Sequence, residues 1–321
     1  PYRWMADKTD PELIAYLEAE NAWTDAHTGH LAPLADELYE DIRARTKQTD
    51  MSVPLHVRHT DGSAFWYYGR TKEGDDYGRT CRLPAPNRDD IPDVTEPSPD
   101  EQVLLDLQAL AQGHDFFSLG LALVSPDGRR LAYSVDTRGD ERYDLYVVDI
   151  ASGATIDGPI TGVGAGGVWA GDDWFLYLRV DAAWRPHEVW RHRLGDPVDA
   201  DALVLTEPDE RFWVGVDTSR DYQWVMVDLA SKTTTETHLL RAADPTGPLA
   251  VVQPRRPGLE YVVEMAPDAL WILHNDDAPQ FRLSRTPLEA LGIEHWETVI
   301  EERPETRLTA VSVYEKAVVV E

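Results

Sequence analysis

The chain has 321 residues and carries 58 acidic against 30 basic side chains, a formal charge of −28. Such an excess of carboxylates excludes a nucleic-acid partner, which needs a basic face to neutralise phosphates. Cys81 is the only cysteine, so no disulfide framework exists within the chain and a reducing cytoplasm is the expected setting, and no apolar run reaches the roughly 20 residues of a membrane-spanning helix.

In chain order, Pro1 stands inside helix-like sequence, so further residues are expected upstream. Asp10-Pro11 predicts a helix start, with Asp10 as N-cap and Pro11 in the first turn. Leu13, Ile14, Leu17 and Ala22 follow at helical spacing through Asp25. Gly29 breaks the pattern, and Leu34, Leu38 and Ile42 mark a second helix from about Ala32 to Arg45. Both helices carry an apolar face that needs something to dock on.

From Val53 the pattern changes to strands. Runs at 53–58 and 65–70 flank the turn Thr60-Asp-Gly62, a hairpin signal, and Tyr77 to Leu83 adds a third strand. Residues 84–101, rich in proline and acids, read as an exposed connector before a closing strand at 103–107. Apolar β-branched and aromatic runs then recur from Leu131, Phe175, Trp224, Leu270 and Ala317, at intervals of 44, 49, 46 and 47 residues. A repeat of about 40–50 residues with several strands in each is the pattern of β-propeller blades. Later units are expected at about 117–159, 163–206, 211–253 and 259–303, followed by two strands, 308–314 and 317–321, of a sixth. The chain is expected to stop within that sixth unit, as a piece of something larger.

Several motifs bear on chemistry. Ser125-Pro-Asp-Gly128 is a tight turn between two apolar runs and carries no chemistry of its own. His187-Glu-Val-Trp-Arg-His192 lacks the i, i+4 spacing of a helical metal pair, and Pro186 just before it favours a strand. No G-x-S-x-G elbow, Walker loop, dinucleotide fingerprint or EF-hand occurs in the sequence, so no catalytic residue, cofactor or metal is assigned to it. The charge serves solubility first, and a field that attracts cationic peptides second. Two loops, 113–120 and 136–143, are dense in charge beside aromatic residues, as solvated loops or as the rim facing a partner domain.

These loops belong to a longer likeness that runs through the chain in order. It includes Pro1-Tyr-Arg-Trp4, Ala15-Tyr-Leu-Glu-Ala-Glu-Asn21, Tyr77-Gly-Arg-Thr-Cys-Arg82, Gly113-His-Asp115 and Val124-Ser-Pro-Asp-Gly128. Ala132-Tyr-Ser-Val-Asp-Thr137, Gly139-Asp-Glu-Arg-Tyr143, Trp184-Arg-Pro-His187, Val189-Trp-Arg-His192, Ser231-Lys-Thr233 and Leu273-His-Asn275 continue it. The chain resembles the prolyl oligopeptidase family of serine peptidases, most of all its oligopeptidase B branch.

That resemblance implies a mainly β chain: about five and a half blades, 51–321, of a seven-bladed-type β-propeller. The helical arm, 1–50, would pack on an α/β-hydrolase domain of the same polypeptide. The nucleophile, acid and base would lie beyond Glu321, so this chain alone would be inactive. The full protein would hydrolyse short peptides, most of them basic, after Lys or Arg, with the propeller gating access. The resemblance also implies interdomain ion pairs through Asp115 and an arginine at Arg142 or Arg138. Two alternatives stay open: a stand-alone propeller scaffold that binds partner proteins, and a prolyl oligopeptidase that cuts after Pro.

Overall fold

A computed structural model describes residues 2–314 and 316–321. Two helices lead: α1 (Pro11–Thr28) and α2 (Ala32–Arg45). The Asp10 carboxylate accepts the N–H of Glu12 at 2.8 Å, so the N-cap forms as expected. Gly29 does not stop the chain with a left-handed residue. Its φ is −55°, and the backbone only tightens through a 3₁₀ turn, Gly29–Leu31, before α2 begins. Leu13 is buried, whereas Ile14, Leu17, Leu34, Leu38 and Ile42 are 43 to 59% exposed. The apolar faces read from the sequence stand open to solvent.

Strands fill the rest. The first sheet holds β1 (Leu55–Arg58), β2 (Ala64–Arg70), β3 (Arg79–Pro84) and β4 (Gln102–Asp106). The second holds β5 (Ser118–Val124), β6 (Arg130–Asp136), β7 (Tyr143–Asp149) and β8 (Thr155–Val163). The third consists of β9 (Gly167–Trp169), β10 (Trp174–Val180), β11 (Pro186–Arg193) and β12 (Ala202–Thr206). The fourth has β13 (Trp213–Thr218), β14 (Trp224–Ala230), β15 (Thr235–Arg241) and β16 (Ala250–Val251). In the fifth are β17 (Tyr261–Ala266), β18 (Ala269–His274), β19 (Arg282–Pro287) and β20 (Glu297–Ile300). Two strands, β21 (Val311–Tyr314) and β22 (Ala317–Val320), pair as a sixth. Each sheet is an antiparallel meander in sequence order, so every expected unit is one sheet.

Two local expectations need correction. The strand read at 103–107 ends at Asp106, whose carboxylate caps a short helix, α3 (Leu107–Leu110), through the N–H of Ala109 at 3.0 Å. The proline-rich connector is also not simply exposed. Ala85 and Val94 are buried against Trp66 and Cys81, and the Arg70 guanidinium holds the carbonyl of Val94 at 3.0 Å and Glu101 at 2.8 Å. The segment covers one side of the first sheet.

The core lies between sheets and has no single centre. Leu105 meets Leu131 and Tyr133; Leu145 and Ile160 meet Phe175 and Tyr177; Leu176 and Val189 meet Val214 and Val227. Met226 and Leu239 meet Tyr261 and Ile272, and Leu273 and Leu283 meet Val311. Alternation within strands makes this possible: Tyr261, Val263 and Met265 of β17 are buried while the residues between them are not. The first strands of four sheets converge on a cavity of about 650 Å³, walled by Leu55, Leu123, Val168 and Val216. First strand inward and fourth outward is the arrangement of propeller blades.

Polar locks join neighbouring blades. His59 is buried, with Nδ1 at 3.2 Å from the carbonyl of Pro126 and Nε2 at 2.7 Å from the Tyr67 hydroxyl. Its ring leaves no room for a side chain at position 128. A Cβ on Gly128, whose φ is +76°, would sit 2.9 Å from that ring. The turn glycine therefore serves both the reversal and the joint between the first two blades.

Candidate interdomain face

Consecutive antiparallel strands put the turns between strands 1–2 and 3–4 of a blade at one end. The 2–3 turns and the blade-to-blade connections fall at the other. The helical arm enters β1 at this second end. There Thr71 donates its N–H to the carbonyl of Asp50 at 2.8 Å and Glu73 donates to the Thr49 hydroxyl at 3.0 Å, tying the arm to the β2–β3 connection.

The β6–β7 connection at this end is a built loop. Asp136 is 1% exposed, and its carboxylate accepts the N–H groups of Arg138, Gly139 and Glu141 at 2.8, 3.0 and 2.9 Å. Burial pushes this carboxyl up, but the three N–H donors outweigh it and hold it below its ordinary value. Glu141 is thereby fixed in a left-handed conformation, φ 56°, which a non-glycine residue enters only under constraint.

One blade on, the β10–β11 connection repeats the device. Asp181 accepts the N–H groups of Ala183 and Arg185 at 2.7 and 3.1 Å and the Arg185 guanidinium at 3.0 Å. Burial raises the Asp181 carboxyl, and these donors again bring it below the usual range. Arg185 is itself buried, and its other nitrogen reaches the carbonyls of Glu207 and Phe212 at 3.2 and 2.8 Å. Trp184, between them, has φ 60°.

The two loops are joined. The indole N–H of Trp184 donates to the carbonyl of Asp140 at 2.6 Å, and the Arg142 guanidinium lies 5.1 Å from the centre of the indole. Arg142 also donates to the carbonyl of Asp181 at 3.3 Å. Arg138 is half exposed, 3.5 Å from Asp140 and 3.8 Å from Asp144, and donates to the carbonyl of Arg142 at 2.9 Å. Asp115 is exposed in the connection between α3 and β5, and among the described residues no partner meets its carboxylate. Its neighbour Phe116 packs beside Gly139, where a Cβ would come 3.6 Å from the ring. The structure thus sets Arg138 and Arg142 in one loop, with the Asp115 segment alongside, all at the arm's end of the propeller.

The sequence singles out loop 136–143 and the stretch from Trp184 to His187 but marks no role for Asp136, Asp181 or Trp184 themselves. The signal was present in the repeat: Asp136, Asp181, Ser231 and Asn275 occupy the same position, at the exit of the second strand of their blades. Asp136, Asp181 and Ser231 accept backbone N–H groups of the turn that follows, and Asn275 accepts the N–H of Glu260 ahead of the first strand of its blade.

Chemistry elsewhere is sparse. His274 and Ser284 form a buried pair at 2.8 Å. The N–H of Asp276 donates to the His274 Nδ1 at 3.3 Å, so Nε2 carries the proton and donates to the serine. An imidazole so arranged does not accept the hydroxyl proton, and burial pushes it down to about 4. Among the described residues no cluster of three or more His, Cys, Asp and Glu side chains could hold a metal ion.

Comparison with known proteins bears on the whole chain. The profile of the prolyl oligopeptidase N-terminal β-propeller domain matches residues 1–321. Protease 2 of Moraxella lacunata is 34% identical over 294 residues, covering 91% of this chain and 41% of that protein. Dipeptidyl aminopeptidase BI of Pseudoxanthomonas mexicana is 33% identical over 318 residues, covering 94% of this chain and 42% of that protein. Among solved structures, oligopeptidase B from Leishmania major superposes on all of this chain and 44% of its own, with a TM-score of 0.86 and 26% identity. The chain spans less than half the length of each of these relatives. With meander blades, a leading helical arm and a family profile matched from end to end, the chain belongs to the prolyl oligopeptidase family, on its oligopeptidase B branch, as the N-terminal propeller portion.

Proposed function

We propose that this arm and propeller gate a serine oligopeptidase that hydrolyses short peptides after Lys or Arg. The nucleophile, base and oxyanion donors belong to an α/β-hydrolase portion of the same protein, outside residues 1–321. The observation that carries this reading is the built face at the arm's end, where two interlocked loops expose Arg138 and Trp184 beside the exposed Asp115 of the α3–β5 connection. A catalytic portion docked there has its access controlled by the propeller, which admits extended peptides and excludes folded proteins. Asp115, exposed and unpaired among the described residues, is open to a partner across the joint, and the half-exposed Arg138 reaches one only by leaving Asp140 and Asp144. Arg142, engaged by Trp184 and the carbonyl of Asp181, holds the loops in shape.

Full-length protein, assayed on peptide amides differing only at the residue before the scissile bond, tests the reading. Cleavage after Lys and Arg, with none by residues 1–321 alone, is the expected result. Cleavage after Pro places the protein with the prolyl oligopeptidases in specificity. Turnover by residues 1–321 alone removes the gating role.

A further inference from the structure

An exposed tryptophan in a left-handed backbone is an unusual thing for a surface loop to keep. Trp184 has φ 60°, and the residue is 41% exposed. Such a conformation costs free energy at a bulky residue, and the surroundings must hold it there. Here they do so three ways: Asp181 fixes the N–H groups on either side of it, the carbonyl of Asp140 takes its indole N–H, and Arg142 lies over one ring face. Nothing within its own turn requires the indole to stand outward. Phe116, 45% exposed beside Gly139, extends the same apolar patch.

We propose that Trp184 is the anchor by which the propeller grips the catalytic portion of its own protein, and that Arg142 is a positioning residue that pre-orients it. This rests on the proposed function for the identity of the occupant. Two observations support that occupant: less than half the length of the relatives is present in this chain, and the patch lies at the end where the helical arm enters. Physical scale favours the aromatic over the charges. Exposed ion pairs such as those open to Asp115 and Arg138 contribute little, whereas covering the exposed 41% of Trp184 removes about 60–100 Å² from water, and tryptophan is among the residue types enriched at interface hot spots. A ring already locked in place also loses little conformational entropy on docking. The joint therefore closes on a preformed apolar knob, with the ion pairs setting register around it.

Hydrogen exchange of full-length protein against residues 1–321 tests the contact without reference to activity. Amides at 138–142 and 183–185 are expected to exchange more slowly in the full-length protein at every concentration. Equal exchange in the two overturns the proposal. So does protection that appears only at high protein concentration, which marks a second copy as the occupant, or only on adding a Lys/Arg peptide, which marks substrate. In the full-length protein, Trp184→Ala is expected to abolish that protection and lower kcat/KM by about tenfold or more, with Trp184→Phe recovering part of both. Trp184→Ala with wild-type protection, or a larger loss of protection from Arg138→Ala than from Trp184→Ala, overturns it. Should the wild-type protein cleave no peptide at all, the peptidase reading fails while the exchange result still decides the contact.

Discussion

His192, with 1% of its surface exposed, is held between two carboxylates from different places in the chain. Its Nδ1 lies 2.6 Å from Asp201 and its Nε2 3.1 Å from Asp157, and Asp157 comes from β8 of the preceding blade. Tyr177 donates to the other Asp201 oxygen at 2.8 Å, and the N–H of Gly195 also reaches Asp157. Burial alone would drive the imidazole neutral, but hydrogen bonds from both nitrogens to carboxylates outweigh it and raise the group above its ordinary value. The charged form is thus the one that binds the blades. A raised folded pKa means that this stabilisation is complete below the unfolded value of about 6.5 and is lost as pH rises through the folded one. Thermal melts of residues 1–321 from about pH 6 to about pH 9 should show falling stability. His192→Gln should flatten that component and cost about 3 kcal/mol at the acid end, because two buried carboxylates lose their cation. A variant that keeps the wild-type slope would refute the assignment. The sequence shows His192 as a strand residue near His187 and nothing more. Asp201, 9 residues after it, reaches it within the same blade, and Asp157, 35 residues before it, only through the packing of one blade on the next.

At the scale of elements, strands were far more legible than loops. A β-strand with one buried face writes its alternation into every second residue, so the second to fifth sheets fall close to the units read from the runs at Leu131, Phe175, Trp224 and Leu270. Loops are fixed by a few hydrogen bonds whose donors are backbone N–H groups, and these leave no composition signal. Asp136 illustrates the difference. In sequence it is the polar end of a strand; in the fold three N–H groups depend on it. Asp136→Ala should deprive three part-buried N–H bonds of their charged acceptor and destabilise the chain by about 1–3 kcal/mol, with fast hydrogen exchange confined at first to residues 137–142. The effect should grow along the blade less than within the loop, since the β6–β7 ladder remains paired. Unchanged exchange in that loop would mean that the backbone holds its left-handed turn without the carboxylate. The connector at 84–101 shows the same limit from the other side: its prolines and acids hide the two small apolar residues, Ala85 and Val94, that seat it.

For the whole molecule, the charge of −28 is the property no single contact explains. Ion pairs such as Arg70–Glu101 and Arg255–Glu236 use up bases as fast as acids and leave the net charge unchanged, and acids outnumber bases almost two to one. An unbalanced surface of this kind repels itself and keeps the protein soluble, and it also draws cations toward it from beyond contact distance. The two roles separate with salt. Screening shortens the reach of surface charge from about 30 Å at 0.01 M ionic strength to about 3 Å at 1 M, so attraction to a Lys- or Arg-containing peptide should fade across that range. In the full-length protein, kcat/KM for a peptide with two basic residues should fall about tenfold over the series, while an otherwise identical peptide with one basic residue loses less. The comparison isolates the encounter, since both peptides present the same scissile bond. Parallel profiles would leave the acidic surface with solubility alone to account for it.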